Sequence, residues 1–415
     1  MLTQEQYNIL QRKTRHLNIK VEILNQFDAI IDSFEGIATS GDINLSSDST
    51  YRRTGNVSIA MKDETLLPRS KSKIWFNRKA RILIGLKDWN DSVIWFNQGI
   101  FIIQSADVTN NISESTIDFE LNDLMSNIDG TLNGNTSHET EIIPEGITVS
   151  EALRSTLSQL GKISIDDLRI NDVDLEVPYT LSFQPNDTVY EIAKQLLDLY
   201  MGMEMFYDEN GILIVQKIRD RKSDPILWDF SKNGMDLAVD YQNQFNFSNI
   251  RNAIYLWGRK KDTGETVKWV YRNKYSRRTI TERNAISDME LGDICHVENE
   301  NISYVWNDSW IALTFTVPKE FNIENIGLKQ FSYTEEKIAT IEQAQLKAEY
   351  ELTKRGNFAE TVSFSSVPIY NLNPNSKIYL DDKKSGVKGE YIVTSVSVPL
   401  SIDGTMSISA TKLYY

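Results

Sequence analysis

The sequence has one cysteine, Cys295, and three histidines, His16, His138 and His296, among 415 residues. A single cysteine excludes any internal disulfide. Structural zinc needs four Cys or His ligands at paired spacings, which this chain does not supply. Iron–sulfur clusters need several thiolates and are excluded with it, and no haem attachment motif occurs. Cys295 and His296 are adjacent, so on a strand they point to opposite faces and do not converge on one metal. Cys295 therefore reads as core. His16 stands among Arg and Lys at a strand start, and His138 stands in the polar run Asn133-Gly-Asn-Thr-Ser-His-Glu; both read as solvated.

Long apolar runs are also missing. No stretch approaches the ~18 apolar residues of a membrane span, and the first residues, Met-Leu-Thr-Gln-Glu-Gln-Tyr, lack the basic flank and apolar run of a signal peptide. The expectation is a chain made and kept in the cytoplasm unless another route carries it out. Gly-x-Gly-x-x-Gly, P-loop, Gly-x-Ser-x-Gly and His-Glu-x-x-His patterns do not occur. Asp166, Asp167, Asp172 and Asp174 lack the central Gly and closing Glu of a calcium hand. The pairs Asp166-Asp167 and Asp381-Asp382 sit in turn-like text, which suits a solvated face better than glycoside hydrolysis. The expectation is no catalytic residue, no metal and no cofactor.

Positive charge is the scarcer sign. Lys and Arg number 44 against 58 Asp and Glu, a net of −14, which argues against stable nucleic-acid binding, because affinity there comes from neutralising phosphates. The imbalance is uneven. Residues 131–230 carry eight basic and eighteen acidic groups, whereas 259–283 carry nine basic and three acidic. The basic stretch, Arg259, Lys260, Lys261, Lys268, Arg272, Lys274, Arg277 and Arg278, is interleaved with aromatics. It fits a single-strand platform, a protein-contact surface or a solvated hairpin, since Val267, Trp269 and Tyr271 alternate with cations as on any two-faced strand.

What is present is strand text. The length suggests about three domains. After a thin amphipathic helix over 3–14, alternating runs (Ile19, Val21, Ile23; Ile43, Leu45; Val57, Ile59; Ile82, Ile84) separated by Gly, Asn, Asp and Ser continue to about residue 125, the spacing of a small barrel or sandwich. Residues 131–225 read as α+β. Thr148-Val-Ser-Glu151 and Thr188-Val-Tyr-Glu191 are capping boxes opening helices, and a hairpin turns at Asp208-Glu-Asn-Gly211. A third capping box, Thr340-Ile-Glu-Gln343, opens a helix that ends at Lys354-Arg355-Gly356.

The two ends of the chain repeat. Gly99-Ile-Phe-Ile-Ile-Gln-Ser-Ala-Asp-Val matches Gly389-Glu-Tyr-Ile-Val-Thr-Ser-Val-Ser-Val. Each copy follows a strand that starts with a cation, Arg81-Ile-Leu-Ile and Lys377-Ile-Tyr-Leu. Further upstream, Asn56-Val-Ser-Ile matches Thr361-Val-Ser-Phe. A duplicated unit implies two similar β-domains with the α+β domain between them.

Several segments, in this order, resemble the baseplate hub proteins of phage tails and tail-derived particles, the late-control protein D kind: Trp95-Phe-Asn-Gln-Gly-Ile-Phe-Ile-Ile103, Asn122-Asp-Leu-Met-Ser-Asn-Ile128, Thr180 to Val215, Phe247-Ser-Asn-Ile-Arg-Asn-Ala-Ile254 and Gly389-Glu-Tyr-Ile-Val-Thr-Ser395. The resemblance implies tube-like β-barrels at 1–130 and at 226–258 plus 340–415, the α+β domain at 131–225, and an inserted β-rich domain at 259–339. It implies a non-enzymatic homotrimer in a virion tail or tail-like particle, assembled in the host cytoplasm. That trimer would join a hexameric tail tube to a threefold spike or tip around a central channel, with tape-measure and baseplate wedge proteins as further partners. The basic stretch is then a partner-contact surface. The rival readings are a tail-tip hydrolase and a cell-surface carbohydrate-binding module.

Overall fold

A computed structural model describes residues 3–12, 15–36, 38–61, 66–70, 72–76, 78–88, 90–111, 115–136, 140–171, 175–200, 202–218, 221–232, 237–276, 289–297, 302–313, 315, 317–357, 359–401 and 403–413. The chain opens with α1 (Gln4–Leu10), capped reciprocally by Thr3 and Gln6. Seven strands follow: β1 (Leu17–Leu24), β2 (Ile30–Glu35), β3 (Ala38–Ser46), β4 (Arg53–Ala60), β5 (Lys79–Lys87), β6 (Val93–Asn110) and β7 (Ser115–Asp123). Period-two alternation sets their faces; in β4, Val57 and Ile59 are buried while Asn56 is exposed.

The middle unit holds β8 (Glu141–Ile143), α2 (Val149–Ser155), β9 (Leu168–Ile170), β10 (Leu181–Phe183), α3 (Val189–Asp198), β11 (Met203–Tyr207) and β12 (Leu213–Lys217). Both expected capping boxes form, with Thr148 and Thr188 each accepting from the N–H of Glu151 and Glu191 while those carboxylates reach back. Val189, Ile192, Ala193 and Leu196 of α3 join Leu153 and Leu157 in one core under the hairpin β11–β12.

Next come β13 (Trp228–Asp229) and β14 (Ala238–Asn246), then a six-stranded sheet with its helices: β15 (Ala253–Arg259), β16 (Thr266–Ser276), β17 (Asp293–Val297), β18 (Ile302–Trp306), β19 (Trp310–Ala312), α4 (Ile323–Ile326), β20 (Gln330–Thr334) and α5 (Ile341–Arg355). The order is β19-β18-β17-β16-β15-β20. Ala344, Ala348 and Leu352 of α5 share a core with Ile254, Leu256, Val267, Trp269 and Tyr271, so β15 and α5 lie with this sheet. Gly356 ends α5 in a right-handed conformation; a Cβ there would meet the Leu352 carbonyl oxygen at 2.5 Å, and close approach selects glycine. The chain finishes with β21 (Ala359–Ser366), β22 (Lys377–Asp382), β23 (Val387–Pro399) and β24 (Met406–Lys412).

The duplicated segments occupy the same topological positions. In the first half the strand order is β3-β4-β7-β6-β5; in the second it is β14-β21-β24-β23-β22. Both long strands break register at the same point, between Ile103 and Ser105 in β6 and between Val393 and Ser395 in β23. Gly99 and Gly389 both take positive φ, 142° and 128°, where a side chain would be strained. Pairing also corrects two of the sequence matches by two residues, a slip that keeps every side chain on its face. Val57 faces Phe119 as Phe364 faces Ile408, so Val57 corresponds to Phe364. Ile82 faces Gly99 as Leu380 faces Gly389, so the cation matching Lys377 is Lys79. The correspondence ends there, since β1 is antiparallel to β5 while β13 runs parallel to β22.

The fold is β-rich α+β, but no closed barrel is found among the described strands. The reason lies at β3. Its outer edge pairs with β23, Ser46 opposite Ser395 through Asp42 opposite Pro399, so the halves merge edge to edge into one 13-stranded sheet. A single core runs beneath both, from Ile59 and Phe119 to Phe364, Tyr391 and Ile408.

Candidate functional site

The basic residues singled out in the sequence separate into distinct environments. Arg259, Lys260 and Lys261 sit at the tip of the β15–β16 hairpin, where Arg259 and Lys261 are exposed. Lys260 is held by Glu265 at 2.8 Å, and the Lys261 ammonium lies 5.3 Å from the ring centre of Tyr179 in the acidic middle unit. Lys268 is exposed opposite Trp257, while Val267, Trp269 and Tyr271 are buried on the other face. Arg272 and Lys274 turn toward buried Asp293, at 3.3 and 3.6 Å, and Arg272 also pairs with Glu290. Arg277 and Arg278 lie outside the described residues, as does His138. The structure thus brings Arg272 and Lys274 together in a charge cluster with Asp293 and leaves Arg259, Lys261 and Lys268 at the surface. Cys295 is buried in β17 and His16 is exposed.

A second constellation escaped the sequence reading. At the start of β4, Arg53 is buried where three parts of the chain meet. Its Nη1 donates to the Tyr207 carbonyl (2.8 Å), and its Nη2 donates to Asn373 Oδ1 (2.9 Å) and Glu209 Oε2 (3.2 Å). Its backbone N–H donates to Asp123 Oδ2 at 3.1 Å. Beside it, the buried Arg52 guanidinium lies 4.2 Å from the ring centre of Phe206 and 3.5 Å from Glu204. Glu204 also accepts from Asn375 (3.0 Å) and Arg221 (3.4 Å). The β11–β12 hairpin is thereby clamped between β4 and the 370–377 loop. Burial, with Arg53 and Arg221 nearby, pushes Arg52 down to about 10, against the pull of Glu204. Burial pushes Asp123 up to about 6, although N–H donors from Met125 and Arg53 oppose it. The signal was legible: Arg53 lies in phase with Val57 and Ile59, on the face that alternation turns inward.

Helix α5 braces the other side. Buried Gln343 completes the Thr340 capping box and donates from Nε2 to the Leu199 carbonyl at 3.0 Å. Tyr179 donates to the Lys337 carbonyl at 2.9 Å. Among the described residues, no group of three or more His, Cys, Asp or Glu is placed to hold a metal, and no helix is long and apolar enough to cross a membrane. The geometry offers clamps between units and exposed strand edges.

No family model matches the chain, and no curated protein matches it in sequence. Solved structures do match over nearly the whole length. A tail protein from Neisseria meningitidis MC58 is 12% identical with a TM-score of 0.58, over 95% of this chain and 96% of the other. The 43 kDa tail protein of prophage MuSo2 from Shewanella oneidensis is 12% identical with a TM-score of 0.55, over 95% and 98%. Prophage tail protein gp18 from Listeria monocytogenes EGD-e is 10% identical with a TM-score of 0.52, over 95% and 94%. The chain has the fold of these phage tail proteins, the class to which the sequence resemblance pointed.

Proposed function

We propose that this protein is a structural, non-enzymatic subunit of a tail baseplate or tail tip. As a trimer it adapts a hexameric tail tube to a threefold spike or tip around a central channel. One observation carries the reading: a single chain holds the same five-strand set twice, in the same order and with the register break at the same point. Three such chains present six equivalent units to a sixfold ring while remaining threefold themselves. Closed cyclic assemblies are the usual outcome for soluble oligomers.

We assign residues 1–130 and 226–252 plus 356–415 to the two tube-like units and 131–225 to the α+β unit. The insertion is drawn at 253–355, rather than from 259 to 339, because β15 and α5 share one core with β16. Tail tube and spike or tip proteins are the partners, with tape-measure and wedge proteins beside them, in a virion tail or tail-like particle assembled in the host cytoplasm. Exposed Arg259, Lys261 and Lys268 form the basic contact surface, where complementary charge steers docking. Sedimentation of the purified chain, alone and with tube and spike proteins, tests the reading. A particle of three chains is expected; a strict monomer in the presence of both partners overturns it.

A further inference from the structure

The joint between the two halves inside the chain predicts a joint between chains. Within the chain, β3 of the first half lies against residues 395–399 of β23 in the second. The strand equivalent to β3 is β14, and the segment equivalent to 395–399 is 105–109 of β6. Among the described residues, β14 has one neighbour, β21. Residues 105–109 pair with β7 on one side, and β5 reaches only to Ile102 on the other. Both halves of a second joint are therefore present, on opposite partners of the repeat.

Side-chain exposure points the same way. In the internal joint Leu45 and Val398 are 3% and 1% exposed; their equivalents Phe245 and Val108 are 48% and 42% exposed. β14 reads Ala-Val-Asp-Tyr-Gln-Asn-Gln-Phe-Asn, with none of the lysines or prolines that blunt a sheet edge against pairing. A bulge at Asp240, between Val239 and Gln242, bends the start of β14, but 242–246, the stretch the joint would use, keeps regular register and is a template for another strand.

We propose that β14 of one chain pairs antiparallel with residues 105–109 of β6 in a second copy, reproducing the β3–β23 joint. This rests on the oligomeric reading above and adds the contact that builds it. The register follows from the internal pairs. β3 and β14 correspond through their partners, Leu45 opposite Arg53 and Phe245 opposite Glu360, and β23 corresponds to β6 through its own. Ala106 then faces Phe245 of the second copy, Asp107 faces Gln244, and Val108 faces Asn243. Because the two edges differ, the contact is head-to-tail, and it closes into a ring when the rotation between copies permits.

The test mixes two full-length single variants, Asp107→Cys and Gln244→Cys, under mild oxidation. Directly opposed residues of an antiparallel pair stand about 4.5–5.5 Å apart at Cα, within the range a disulfide spans. The expected result is a reducible dimer band in the mixture only, with wild type giving none because Cys295 is buried. Pairing Asp107→Cys with Gln242→Cys, two residues out of register, should give roughly tenfold less product. A trimer by sedimentation that forms no in-register bond overturns this joint and leaves the trimer standing. Equal yield from both pairs overturns the register. A monomer that forms no bond at any concentration overturns the joint and the oligomeric reading together.

Discussion

The two halves of the chain place opposite charges at the same two positions of the sheet, where Arg53, Asp123 and Glu360 are buried and Lys412 is half-buried. In the first half Arg53 of β4 lies beside Asp123 of β7; in the second, Glu360 of β21 lies opposite Lys412 of β24, with Nζ to Oε2 at 2.8 Å. The facing aromatic is Phe101 in one half and Tyr391 in the other, and the Tyr391 hydroxyl donates to Glu360 at 2.7 Å. The second pair is self-contained, since Asn243, Tyr391 and Lys412 all converge on Glu360. The first is not: the Arg53 guanidinium turns away to Tyr207, Glu209 and Asn373, so this half spends its buried cation on holding the middle unit. The reversal also guards the pairing of duplicated strands. Were β4 to pair with β24, Arg53 would meet Lys412; were β21 to pair with β7, Glu360 would meet Asp123. Either error buries like charges, which is strongly unfavourable.

Breaking the first pair should have the largest effect. Arg53→Glu sets a second carboxylate beside Asp123 and removes three donors from the junction. We expect a loss of about 4 kcal/mol or more in urea unfolding, with increased proteolysis of the 203–217 hairpin. Adding Asp123→Lys, which copies the second half's polarity, should recover only part of it, because the bonds to Tyr207 and Asn373 stay lost. Full recovery would mean that the junction bonds contribute nothing.

The second expectation concerns pH. Asp123 is near 6 in the folded protein against about 3.9 unfolded. A raised carboxyl binds its proton more tightly when folded, so this group lowers stability as pH rises from about 4 through 6, by about 3 kcal/mol in full. Asp123→Asn removes that slope whatever constant cost it adds. The stability difference between variant and wild type should therefore move in the variant's favour between pH 4 and 7. A difference independent of pH would place Asp123 at an ordinary value.

Tyr391→Phe makes the second half resemble the first. It deletes one hydrogen bond to a buried carboxylate, and unfolding measurements should show a loss of about 2 kcal/mol. A negligible change would mean that Lys412 and Asn243 satisfy Glu360 alone. The smallest effect is expected outside both pairs. Thr340→Ala removes one cap acceptor from α5 and should cost about 1 kcal/mol, read as a small fall in Tm without loss of assembly.

The strands, the capping boxes and the duplication were legible because each is written locally, in alternation, in a Thr with its Glu or Gln three residues on, and in the frame Gly-x-aromatic-Ile-x-x-Ser. Strand-pair register was legible only to within two residues, since a two-residue slip changes no hydrophobic pattern. The junction was harder to see. Arg53 announces itself by its phase within β4, but its partners Tyr207 and Asn373 lie about 150 and 320 residues away, and nothing in their own text marks them. The environments within the basic stretch were hard to see for a similar reason. Arg272 and Lys274 share a strand with Lys268, yet Asp293, some twenty residues on and itself buried, draws them into a charge cluster.

The joint between β3 and β23 has a consequence in time. Its two sides are about 350 residues apart, and synthesis at ~5–20 residues per second separates them by roughly 20–70 s. Throughout that interval β3 is a finished strand whose intended neighbour does not yet exist, on a polysome crowded with identical nascent chains. The protein's yield in a cell should then depend on translation speed through the middle of the message and on whatever shields that edge meanwhile. Codon changes that slow residues 131–380 should lower soluble yield without altering one amino acid.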